Sequence, residues 1–190
     1  MKLMPVLIVC AALLFVASVQ MQTPDAKHFE KDGLSFDYPA NWQISDQSTQ
    51  QMQYLQLARD GYAEIRVRVP REWLKTPEKE ASARKLMQVK YVDDFALNVE
   101  QSGMRPRRSA VTTQIAGADA DGARVRAVLD GEPGGMDSYF RIVSDRLVNL
   151  SILGSEKEIT RSAPAWNTVC NSMKVAPPPQ PTPSPSPKTP

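Results

Sequence analysis

The chain predicts an α+β domain, an antiparallel β-sheet with helices covering its faces. Three observations predict it. Short segments of apolar–polar alternation recur between tight turns. One long stretch, residues 76–102, switches to helical spacing. The order is strands, long helix, strands, closing helix, and not the strict strand–helix alternation of a parallel sheet.

Lys2 and the apolar run of residues 3–19, broken only by Pro5 and Ser18, have the layout of a secretory signal peptide over residues 1–20. Val16 and Ser18 suit a cut before Val19; a cut after Gln20 suits less well. Left uncleaved, the run would anchor the protein in a membrane, although it is slightly shorter than the ~20 residues of a typical span. Cys10 follows Leu7-Ile-Val9, without the small residue that precedes a lipidated cysteine. The expected address is therefore periplasmic or secreted, with a membrane-anchored form as the alternative.

Leu34-Ser-Phe-Asp-Tyr38 alternates and is stopped by Pro39, which predicts a strand. Residues 51–58 predict a weaker strand, because Leu55 and Leu57 break the phase of Met52 and Tyr54; a bulge would repair it. Arg59-Asp-Gly61 is a turn. In Ala63-Glu-Ile-Arg-Val-Arg-Val69, Ile65, Val67 and Val69 are assigned to the core, and Glu64, Arg66 and Arg68 to the outside. Thr76-Pro-Glu78 starts a helix, with Thr as cap, Pro in the first turn and an acid beside it. Leu86, Val89, Val92 or Asp93, Ala96 and Val99 form its expected buried stripe, widened by Met87, Tyr91 and Phe95. Ser102-Gly103 ends it.

Strands then return at Val111-Thr-Thr-Gln-Ile115, after an Asp121-Gly122 turn at residues 123–129, after a loose Glu132-Pro-Gly-Gly135 turn at 138–143, and at 147–153. Ser155-Glu-Lys-Glu158 is a capping box for one short helical turn. A second start follows, with Ser162 as cap and Pro164 in the first turn, because Pro164 in a helix interior would cost about 3 kcal/mol. Trp166, Val169, Cys170 and Met173 form the closing stripe. From Ala176 to the end, alternating prolines predict a solvated polyproline-like tail, 176–190. One folded domain, 27–175, is long enough for a single core.

Charge is nearly even, 23 basic against 21 acidic residues. Nucleic-acid binders carry a strong basic excess, so that class is excluded. One histidine, His28, rules out a multi-histidine metal site, and its place near the domain edge predicts an exposed residue. Without Cys10, Cys170 has no internal disulfide partner and reads as a small core hydrophobe. Asp119-Ala-Asp-Gly122 lacks the later ligands of a calcium loop, at Ala123 and Asp130, and reads as a hairpin turn. Asn149-Leu-Ser151 is a glycosylation sequon, relevant only in a eukaryotic secretory route.

Gly33-Leu-Ser-Phe-Asp-Tyr-Pro-Ala-Asn-Trp42 resembles the G-x-x-F-x-Y-P-x-x-W opening of PsbP-like domains, a family that includes bacterial DcrB-type exported proteins. The ending Trp166-Asn-Thr-Val-Cys-Asn-Ser-Met-Lys174 resembles their closing helix, with Met173 in place of the usual aromatic. The resemblance covers residues 28–175. It implies an α/β/α sandwich and a binding or accessory role, with no shared active site.

The expectation is thus an exported, non-catalytic accessory protein acting through protein–protein contact in the exported compartment, without catalytic residues, cofactor or metal. The alternative is a module holding a small or polymeric anion on an arginine-lined sheet face made by Arg66, Arg68, Arg124, Arg126 and Arg141. A carboxylate-based hydrolase is the third reading, and it needs an acid of raised pKa in a deep pocket.

Overall fold

The computed structural model describes residues 25–129 and 131–176. The expected signal peptide, residues 1–20, and all but the first residue of the expected tail, 176–190, lie outside the described residues. The elements in order are β1 (Ala26–Lys31), β2 (Leu34–Pro39), β3 (Gln43–Asp46), β4 (Met52–Ala58), β5 (Glu64–Pro70), α1 (Pro77–Gln88), a π-helical turn (Val89–Asp93), α2 (Asp94–Gln101), β6 (Arg107–Ile115), β7 (Ala118–Leu129), β8 (Glu132–Val143), β9 (Arg146–Ser155), α3 (Glu156–Arg161), α4 (Ala163–Ser172) and β10 (Lys174–Val175).

The α+β character and antiparallel pairing are as expected, but the strands divide into two sheets. The large one has the order β3-β4-β5-β9-β8-β7-β6, and the small one β1-β2-β10. Leu34-Ser-Phe-Asp-Tyr38 belongs to the small sheet, where β2 is the central strand. Its partners β1 and β10 carry few apolar residues, so they gave no periodic signal.

Alternation along the large sheet separates two buried clusters. Ile65, Val67 and Val69 join Leu150 and Ile152 in one, with Leu34 and Phe36 of the small sheet and Trp166, Val169 and Cys170 of α4. Val125, Met136, Phe140 and Leu147 form the other with Leu74, Met87, Val92 and Ala96. Each fully buried aliphatic side chain contributes on the order of 1.5–3 kcal/mol, so the two-sided burial of the central strands dominates stability.

Several local expectations change. β4 is regular, pairing residue by residue from Met52↔Pro70 to Leu57↔Ile65. Leu55 and Leu57 join one cluster while Met52 packs against the other, so the broken phase marks a strand buried on both sides and no bulge is needed. The β6–β7 turn is at Ala116-Gly117, both with positive φ, 50° and 74°. Asp121 and Gly122 lie within β7, opposite Thr112 and Val111. Gly122 is a packing glycine: a Cβ there would come within 2.4 Å of the Ser138 carbonyl oxygen and 2.7 Å of the Tyr139 ring. Pro133, Gly134 and Gly135 are likewise strand residues, in β8.

The helix starts follow the sequence more closely. Thr76 accepts from the Lys79 amide, and Ser155 with Glu158 completes the capping box. Pro164 is in the first turn of α4, but the Ser162 hydroxyl does not cap it. That hydroxyl instead accepts from the Ala63 amide at 2.9 Å and donates to the Glu158 carbonyl at 2.8 Å.

Candidate functional site: the outer surface of the long helix

The long helix does not bury the stripe its spacing predicts. At its centre the Asp94 amide bonds to the Val89 carbonyl, five residues back, which defines the π turn. The inserted residue lets both Met87 and Val92 face the sheet although they are five apart. Leu86 and Val89 are displaced outward as a result. They are 65 % and 45 % exposed, and Leu97, two turns further on, is 48 % exposed.

A cleft of about 420 Å³ opens at the foot of this surface, between α1 and the end of the sheet. Met52, Pro70, Leu74, Leu86, Met87 and Leu147 line it, and Lys79, Lys90, Glu72 and Glu78 are at its rim. Lys79 pairs with Glu72 at 3.6 Å. Lys85 and Lys90 flank the exposed leucine and valine along the chain. The surface offers apolar contact bordered by both ammonium and carboxylate groups. The sequence held one sign of it: the stripe could be continued only by choosing between Val92 and Asp93, a hesitation that the extra residue explains.

The five arginines expected on one face are not brought together. Arg66 and Arg68 are on the side of the sheet that carries Phe140 and Leu147, whereas Arg124, Arg126 and Arg141 are on the opposite side. Two intervening strands, β9 and β8, separate β5 from β7. Arg66 pairs with Glu64 at 2.5 Å. Arg68, assigned outward, is only 5 % exposed. It donates to Ser151 Oγ at 3.0 Å and Asn149 Oδ1 at 3.3 Å. Burial pushes its pKa down, and the neighbouring Tyr54 opposes that; a guanidinium stays charged regardless. Arg141 donates to the Ile115 and Ala118 carbonyls and so holds the β6–β7 turn.

Arg124 is bidentate on the buried Asp137, at 2.9 and 2.7 Å, and Arg126 pairs with the same carboxylate at 2.7 Å. Burial alone would push the Asp137 pKa up; the hydrogen bonds from Arg124 and Arg126 outweigh it and hold the carboxyl below its ordinary value. Tyr139 beside it is pushed up to about 12, by burial and then by the Asp137 charge. The other shifted carboxyls among the described residues, Asp46 and Glu78, are also lowered, the reverse of what a general acid needs.

His28 is exposed in β1, as expected, with Nδ1 2.6 Å from Asp37 Oδ1 and Nε2 3.6 Å from Glu30. The nearby Ser172 hydroxyl is occupied elsewhere, accepting from the Asp37 amide and donating to the Thr168 carbonyl, both at 2.7 Å. It makes no contact with the imidazole that could activate it. Cys170 is buried, and burial pushes its thiol up to about 12. Asp119 and Asp121 are strand residues, correcting the hairpin-turn reading. Asn149 of the sequon is fully buried, its amide donating to Ser138 Oγ at 2.8 Å and the Tyr139 carbonyl at 3.1 Å. Among the described residues no helix is long and apolar enough to cross a membrane.

No family model matches the chain. No curated protein matches it in sequence. Solved structures do. The cyanobacterial PsbP protein (CyanoP) of Synechocystis superposes with a TM-score of 0.51 at 12 % identity, over 83 % of this chain and 96 % of that one. A Bacteroides thetaiotaomicron protein gives 0.48 at 12 % identity, over 79 % of this chain and 48 % of that one. A Pseudomonas aeruginosa protein of unknown function gives 0.40 at 16 % identity, over 83 % and 99 %. The described chain has a PsbP-like fold, as the likeness to the Synechocystis protein establishes.

Proposed function

We propose that this PsbP-like domain is an exported, non-catalytic accessory protein that holds another protein along the outer surface of its long helix. The observation that carries the reading is the exposure of Leu86 at the wall of an apolar cleft of about 420 Å³, with Val89 exposed one turn further along the helix. Exposed leucine and valine side chains one turn apart, the leucine lining a cleft, cost solvation unless a partner covers them. Lys85 and Lys90 at the border select the partner's chemistry: apolar side chains flanked by carboxylates. The signal-peptide layout of residues 1–20 supports an encounter in the exported compartment.

Leu86→Asp combined with Val89→Asp tests it on the full chain. Both positions are solvent-facing, so the melting temperature should hold while the affinity of the co-purifying partner falls at least tenfold. Unchanged affinity in the double variant would remove the helix surface from the account.

A further inference from the structure

On the opposite side of the sheet from the long helix, β6 and β7 carry a concentration of guanidinium groups that the docking surface does not use. Their register places Arg107 directly opposite Arg126, and Ser109 opposite Arg124. Arg107, Arg124 and Arg126 therefore project from one face within two rungs of each other. Like charges directly opposite in a sheet repel, and a fold keeps them at a cost. Arg105 enters the same neighbourhood just before β6 begins. Together with Arg107, Arg126, Pro106, Pro133 and Glu156 it lines a cleft of about 480 Å³.

The charge there is only partly compensated. Asp137 is buried and already shared between Arg124 and Arg126. Glu156 stands 3.9 Å from Arg126 Nε and is largely exposed. Arg105 and Arg107 make no ion pair among the described residues. Among the described residues the lining of this cleft carries three guanidiniums, Arg105, Arg107 and Arg126, and one carboxylate, Glu156, which leaves two positive charges there. Gly135, opposite Arg126 in β8, adds no side chain to this face. Pro106 and Pro133 make the walls stiff.

From this geometry we infer that the cleft is a binding site for a doubly charged tetrahedral oxyanion of the phosphate class, held by Arg105, Arg107 and Arg126. Planar guanidinium forks match such oxygens two at a time, and a dianion neutralises the surplus. Asp137 acts as a positioning residue: it fixes Arg124 and Arg126 from beneath, so that Arg126 is preset before the ligand arrives. Val128 and Ala127 line the same cleft, so an ester carrying a small apolar group has a surface to lie on. This site is on the other face of the sheet from Leu86 and Val89, so it stands or falls separately from the docking surface.

The test is a titration of the full chain with inorganic phosphate, at ionic strength held constant with chloride, following the arginine Nε–Hε signals by NMR. The signals of Arg105, Arg107 and Arg126 should move together and saturate, while that of Arg141, held on backbone carbonyls, stays fixed. Arg105→Gln with Arg107→Gln should weaken binding at least tenfold without moving the melting temperature, since both side chains are exposed. A parallel titration with propyl phosphate separates the sources: tighter binding of the ester points to a carried phosphate, equal or weaker binding to the free anion. Shifts that never saturate, that chloride reproduces, or that survive the double substitution would overturn the assignment.

Discussion

The Arg68 guanidinium carbon lies 4.3 Å from the centre of the Tyr91 ring, and this contact ties the inner strand β5 to the π turn of the long helix. Tyr54 flanks the same guanidinium, with its ring centre at 4.8 Å. The charge is stabilised by two aromatic faces and two side-chain acceptors, with no carboxylate within ion-pair distance among the described residues. Arg68→Ala should therefore destabilise the fold by about 2–4 kcal/mol, because it leaves a cavity and strips Asn149 and Ser151 of a donor. Tyr91→Phe keeps the ring and loses only a 3.6 Å contact to the Met52 sulfur, so it should cost less than about 1 kcal/mol. Urea melts of the two variants check the contrast; equal losses would mean that the Tyr91 hydroxyl, and not its ring face, carries the contact.

Asp137 should make stability depend on pH in the acid range. Its folded pKa lies below its unfolded value, so it stabilises above an unfolded pKa of about 3.9 and the contribution is lost as pH falls through the lower folded value. Asp137→Asn should cost about 2–4 kcal/mol at neutral pH by leaving Arg124 and Arg126 unpaired. The gap between wild type and variant should narrow as pH drops from about 4 toward 2. A constant gap over that range would mean that the carboxylate charge is not what holds the cluster.

Cys170 should be chemically silent in the folded protein. With its thiol pushed up to about 12 by burial, the thiolate fraction at pH 8 is on the order of 10⁻⁴. A chain with Cys10 replaced by Ser should resist iodoacetamide at pH 8 and react within minutes once urea unfolds it. Rapid labelling before unfolding would show that α4 opens away from its cluster.

Gly122→Ala separates the strand assignment from a turn assignment. At a hairpin turn the change would cost about 1 kcal/mol. In β7, its Cβ would collide with the Ser138 backbone at 2.4 Å, and a rigid carbonyl cannot give way as a flexible side chain can. The expected loss is about 3 kcal/mol or more, read from a thermal or urea melt; a loss near 1 would favour the turn.

The elements were legible wherever one local rule acted alone. Thr76-Pro77, the Ser155–Glu158 box and the alternation of Ile65, Val67 and Val69 each named their structure correctly. Where two rules competed, the sequence was ambiguous. Asp121-Gly122 has turn chemistry, but the turn is at Ala116-Gly117, and Gly122 instead leaves room for the Ser138 carbonyl and the Tyr139 ring. Arg68 alternates like a surface residue, yet the long helix crosses that face and supplies Tyr91 to cover it. The arginine cluster failed for a topological reason: phase within a strand says which residues share a face, but not how β5 and β7 align across β9 and β8. Leu86 and Val89 entered the expected core stripe because an α-helical period contains no π insertion, and one added residue turned them outward.

Site-specific photocrosslinking inside the protein's own cells tests the docking claim most directly. A photoreactive residue placed at Leu86 or Val89, and separately at the exposed Thr160 of α3, reports which surface is covered. One stoichiometric crosslinked partner is expected from positions 86 and 89, none from 160, and the product should be lost when Lys85 and Lys90 are both changed to Glu. Full-length protein that yields no crosslink from either helix position, or the same product from position 160, would contradict it.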